Sequence, residues 1–228
     1  MPTWARNLVL EMGPPKVGQQ HPRRLKLRIC VSCNSKMAAR YENTTAELLK
    51  PIVKGPPVRG LAPEAQSLIG RWIIKTTLLF IIRDAIPTGV DHRRESDALL
   101  QMNRGALPPD GFSVRVGHFL ADDDPADRPG EGLRGSLLGA KPLALFAFHT
   151  LGHVVMEVVA GPPDRTLDFI DRTNDDERFL RVWPPSDKVA DYNPAGILTN
   201  NDVDVMRLQM LELNGVTRCF RHTWGPDA

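Results

Sequence analysis

Two cysteines, Cys30 and Cys33, sit in the stretch Arg28-Ile-Cys-Val-Ser-Cys-Asn-Ser-Lys36. With two residues between them, both thiolates can turn toward one metal ion. A tetrahedral zinc site needs four such donors, so the pair supplies half of one. The competing chemistry is redox, which places the pair at the start of a helix after a buried parallel strand. Here Leu25, Leu27 and Ile29 alternate with Lys26 and Arg28, the pattern of a short basic strand running into Cys30. The pair is therefore expected on a turn, as a zinc knuckle. His21 is a further candidate ligand, with Cys219 and His222 as more distant ones. His21 beside Pro22 on a basic loop reads first as solvated, and Cys219 first as a small buried residue of a half-buried strand.

Other clusters have plainer readings. His149 and His153 have the four-residue spacing that aligns zinc ligands on a helix, but the glutamate of His-Glu-x-x-His is absent. Gly152 instead places the two histidines around a hairpin turn. Asp122-Asp-Asp124 precedes Pro125 in a Pro/Gly-rich run and reads as a solvated loop. No phosphate-cradling glycine loop, Ser-His-Asp set or glycosidase carboxylate pair is recognisable from spacing.

The charge is unevenly distributed. Residues 1–60 hold eleven Lys or Arg against three acids, a net +8, which leaves −6 for the remainder of a chain of net charge +2. Arg23, Arg24, Lys26, Arg28 and Lys36 cluster around the cysteines and suit a phosphate backbone. A solvated basic arm is the alternative. The 228 residues, 42% hydrophobic and 25% charged, belong to a folded globular class. Trp72–Ile82 is the most apolar stretch, but it contains Lys75 and falls short of a membrane span, so it reads as a buried helix. The N-terminus lacks a signal-peptide layout, and three cysteines do not make a disulfide framework. A cytoplasmic protein that does not enter a membrane is expected.

The elements that position these residues follow from periodicity. A short helix near Trp4–Leu10 precedes a loop. From Asn34, Met37, Tyr41, Leu48 and Leu49 fit one helical face, ending at Lys50-Pro51; Gly55-Pro-Pro57 and Gly60 form a linker. Pro63-Glu64 opens the strongest helix, with Leu68, Ile69, Trp72, Ile73, Thr76, Leu79 and Phe80 at three- and four-residue steps, ending before Pro87. A helix over 93–102 stops at Asn103-Arg-Gly105. Strands are expected at 113–121, 142–150 and 153–160, the last two a hairpin turning at Leu151-Gly152, and again at 167–170 and 179–183. Thr199 or Asn200 caps a C-terminal helix with Val203, Met206, Met210 and Leu213 inward, ending at Gly215.

Cys-x-x-Cys-Asn, followed by Met37, Glu42, Lys50-Pro51, Gly55, Leu61, Gln66, Trp72 and Lys75-Thr76, resembles a group of bacterial proteins with an HNH-endonuclease-like N-terminal module. The resemblance covers roughly residues 1–85, with a weaker echo at Trp183-Pro-Pro185. It implies an α+β fold: a small ββα-type zinc-knuckle remnant over 1–60, then an α+β domain over 61–228 with a long buried helix and an antiparallel sheet. It also implies that Cys30 and Cys33 are half of a structural zinc site. Asn34 would stand at the last position of the HNH pattern, and Pro2-Thr-Trp4 would be its Pro-x-Trp segment. The implied reaction is hydrolysis of a DNA phosphodiester with Mg²⁺ or another divalent metal. The family's first cysteine pair and acid–histidine step would fall before Met1, so a truncated or degenerate module, inactive as written, is expected. The alternative is a non-catalytic nucleic-acid- or protein-binding regulator or defence component.

Overall fold

The computed structural model describes residues 31–55, 58–88, 92–120, 134–140, 144–161, 177–192 and 196–213. The expected helix at 4–10, strand at 167–170 and tail after Gly215 lie outside them.

Val31–Val53 is a continuous helical rod in three parts: α1 (Val31–Met37), a π-helical segment (Ala38–Asn43) and α2 (Thr44–Val53). Met37, Tyr41, Leu49, Ile52 and Val53 form its buried stripe, while Leu48 is half-buried. The helix passes through Pro51 and stops at Gly55, whose φ of +99° suits only glycine. Helix α3 (Pro63–Thr88) is a 26-residue spine that likewise continues past the expected stop at Pro87. It is long and apolar enough to cross a membrane by composition, but 61% of its apolar window is packed inside the fold. It is the core helix. Helix α4 (Arg93–Arg104) ends at Gly105, where φ is +109°.

The sheet is five-stranded and antiparallel, in the order β3 (Arg134–Ala140), β4 (Ala144–Leu151), β5 (Val154–Ala160), β2 (Phe112–His118), β6 (Phe179–Trp183). The β4–β5 hairpin turns at Gly152, with Leu151 opposite Val154. A separate two-stranded ribbon pairs β1 (Val58–Leu61) with β7 (Ala190–Tyr192). The protein is α+β, with antiparallel sheets beside segregated helices.

Both faces of the central sheet are covered, so β2 and β5 are buried nearly throughout. One face, carrying Val114, Val116, Ala147, Met156, Val158 and Val182, joins Trp72, Ile73 and Leu78 of α3 and the buried stripe of the first rod in one cluster. That cluster gathers residues on both sides of position 60. Gly70 sets the approach of α3 to β6: a Cβ there would lie 2.7 Å from Trp183 Cβ and 2.9 Å from the Val182 carbonyl oxygen. The opposite face packs Phe146, Phe148, Val155 and Val159 with Val203 of α5 (Asn200–Leu213). Thr199 caps α5 as expected: its N–H donates to Asp202 Oδ2 at 2.8 Å, and the Asp202 N–H donates back to Thr199 Oγ1 at 3.3 Å.

Candidate functional site

The second cysteine lies in a helix, not on the expected turn. Cys33 is half-buried in α1. The helix already includes Val31, three residues before the Asn34 start that apolar spacing suggests. Asn34, Ser35 and Lys36 follow on the exposed side, and Met37 is 4% exposed in the core. Cys30, His21, Arg23, Arg24, Lys26 and Arg28, with Asp122–Asp124, Cys219 and His222, lie outside the described residues.

The π segment fixes this helix to the body through three consecutive side chains. Arg40 Nη1 donates to the Asn103 and Met102 carbonyls at 2.6 and 3.3 Å, and Tyr41 Oη donates to the Met102 carbonyl at 2.5 Å. The last carbonyls of α4 thereby gain side-chain donors, at Met102 in addition to the Gly105 N–H at 3.0 Å, and a cation stands at the negative end of the dipole. Glu42 completes the set: Lys75 Nζ, 2% exposed in the middle of α3, donates to Glu42 Oε1 at 3.0 Å. Burial pushes the Lys75 ammonium below its ordinary pKa, while the Glu42 charge and hydrogen bond oppose that shift. The wider π turn changes the rotation of successive residues, so neighbours 40–42 address two different helices.

The histidine pair flanks a hairpin, as Gly152 suggests, and shares no helix face. His149, on β4, is buried against α3; it stacks on Phe80 and contacts Thr77 Oγ1 at 2.8 Å. The Thr77 hydroxyl proton goes to the Ile73 carbonyl at 3.0 Å, which assigns Nε2–H of His149 as the donor to Thr77. His153, in the turn, meets His118 edge-on at 6.0 Å. On the other sheet face Arg115 pairs with Glu157 across β2 and β5 at 2.5 Å.

Of the expected zinc ligands, only Cys33 falls among the described residues. Cys33 brings one sulfur, and among the described residues no group of three or more His, Cys, Asp or Glu is placed to hold a metal ion.

Sequence reasoning did not pair Lys75 with Glu42 or Arg115 with Glu157. The first was within reach, since a lysine inside an apolar helix requires a countercharge. Compared with known proteins, the chain matches no family model, no curated protein and no solved structure.

Proposed function

We propose that the chain is an HNH-endonuclease-like nucleic-acid-binding protein whose DNA contacts come from the basic segment 1–60. The observation that carries this reading is the display of α1. Met37 anchors it in the core, while Asn34, Ser35 and Lys36, directly after Cys33, face solvent. A polar helix face within a net +8 segment meets a phosphate backbone with positive charge and hydrogen-bond donors. In this reading Arg23, Arg24, Lys26, Arg28 and Lys36 steer the backbone, and Asn34 positions a strand or a divalent metal. Cys30 and Cys33 supply two thiolates toward structural zinc. Hydrolysis of a DNA phosphodiester is the reaction when an acid–histidine step and a divalent ion such as Mg²⁺ complete the module.

The test is the binding of a labelled DNA duplex by the full chain across a salt series, with and without Mg²⁺. The expected result is tight binding at low salt that weakens steeply, with Lys36→Ala lowering the log–log salt slope by about one. No binding at about 50 mM salt, where phosphate contacts are strong, overturns the reading. Binding without strand breaks makes the protein a non-catalytic binder. Mg²⁺-dependent breaks lost in Asn34→Ala make it a nuclease.

A further inference from the structure

We propose that Ser67 and Arg71 form a phosphate-binding subsite on α3, which takes a single backbone phosphate of a bound nucleic acid. The proposal rests on the nucleic-acid reading above and adds a contact outside residues 1–60.

A shallow groove of about 450 Å³ runs along the first turns of α3, lined by Pro63, Glu64, Ser67, Leu68 and Arg71. Ser67 and Arg71 stand four residues apart and so share one face. The guanidinium of Arg71 lies 5.6 Å from the centre of the Tyr41 ring, and Tyr41 is itself fixed by the core and by its bond to the Met102 carbonyl. Cation–π contact holds the group in place without using its N–H donors.

Those donors have no acceptor. Arg71 Nε is buried without a hydrogen-bond partner, and among the described residues neither Arg71 nor the Ser67 hydroxyl makes a hydrogen bond or ion pair. The other arginines that are at least half-buried among the described side chains are paired: Arg115 with Glu157, and Arg178 with Asp202. One turn further along α3, Lys75 is paired with Glu42. A buried N–H left unmade is costly, and an acceptor that completes it recovers that cost.

An acceptor with at least two oxygens matches this pair, because a guanidinium presents a fork of parallel donors and the hydroxyl a third. A phosphodiester's two non-bridging oxygens fit that set. Glu64, exposed one turn before Ser67, opposes anions near it, so the favourable charge is confined to Arg71 and to a single phosphate.

Two measurements on the full chain test this. In the first, DNA-duplex affinity is followed across salt for the wild type, Arg71→Met and Arg71→Lys. Methionine keeps an apolar stem against Tyr41, and lysine keeps the charge. The expected outcome is a salt slope lower by about one in Arg71→Met and retained in Arg71→Lys. In the second, the side-chain Nε–Hε resonance of Arg71 is followed as inorganic phosphate is added at constant ionic strength. A saturable shift is expected, weaker in Ser67→Ala, which also serves if Arg71→Met fails to fold. An unchanged slope in Arg71→Met overturns the proposal while the nucleic-acid reading stands on the wild-type slope. A phosphate shift without a slope change gives a free-phosphate site and overturns the backbone occupant. No wild-type DNA binding removes the parent reading and this occupant with it.

Discussion

Removing the charge of Glu42 should harm the protein far more than removing that of Lys75, although the two form one ion pair. Lys75 is 2% exposed and Glu42 22% exposed. In Glu42→Gln the shape of the site is kept, but the ammonium stays inside α3 without a countercharge. Breaking a buried pair in this way costs about 3–5 kcal/mol when both partners are enclosed. The loss is capped near 4.6 kcal/mol at pH 7, because an ordinary lysine can shed its proton for that amount. Glu42 reaches water, so hydration of the vacated side relieves part of the penalty, and about 2–4 kcal/mol is expected. Lys75→Met removes the buried charge itself and refills the channel with an unbranched apolar chain. The carboxylate it leaves unpaired can hydrate, so the expected loss is below about 1 kcal/mol. Urea unfolding at pH 7 followed by circular dichroism measures both, with unchanged m-values as the check that the denatured state is the same. The glutamine variant should also recover as pH rises toward 10. A lysine pKa depressed in the folded state means that the unfolded chain binds more protons below its ordinary value, so stability climbs with pH. A Lys75→Met loss equal to or larger than that of Glu42→Gln would refute the asymmetry and the desolvation argument behind it.

Gly70→Ala drives a methyl group into Trp183 Cβ and the Val182 carbonyl, both close to backbone. A loss of about 1–3 kcal/mol in urea unfolding is expected, and a neutral result would show that α3 can lift off β6 at no cost. Burial, followed by the neighbouring His153, holds the His118 imidazole below its usual pKa. The unfolded state then binds more protons below about pH 6.5, so stability should fall from pH 7.5 to 5.5, and His118→Asn should flatten that fall. A profile identical in the variant would remove His118 as its source.

Several elements were legible because their determinants are local. The α3 stripe recurs at helical steps, and Gly105 and Gly152 occupy left-handed positions where a helix ends and a hairpin turns. The two-stranded ribbon was not legible. Val58–Leu61 lies between turn residues and reads as a linker, and its partner Ala190–Tyr192 is more than 120 residues away. Leu61 and Tyr192 of that ribbon pack in the same apolar cluster as α3, and one buried amide ties its flanks: Gln66 Nε2 donates to the Leu61 and Lys188 carbonyls at 2.8 and 2.9 Å, while its Oε1 accepts from the Ser186 N–H at 3.0 Å. Strand β3 starts inside a stretch whose glycines and charges read as loop. Pro51 misled for a measurable reason. A proline inside a helix costs about 3 kcal/mol, but Ile52 and Val53 beyond it are each 1% exposed. Burying two such side chains contributes about 3–6 kcal/mol, so the helix continues.

The same distinction applies to the candidate site. Downstream of Asn34, several of the residues that carry the HNH-like resemblance do core work in this fold, while Lys50 and Pro51 lie at the surface. Gln66 staples the ribbon, Trp72 is 1% exposed beneath the sheet, and Lys75 is spent on Glu42. These packing roles are mute on cleavage. The proposed nucleic-acid reading therefore rests on other residues: Asn34 and Lys36, exposed on α1, the basic residues before them in sequence, and Arg71. A DNA complex that touched none of these would separate fold from activity, leaving the resemblance true of the scaffold alone.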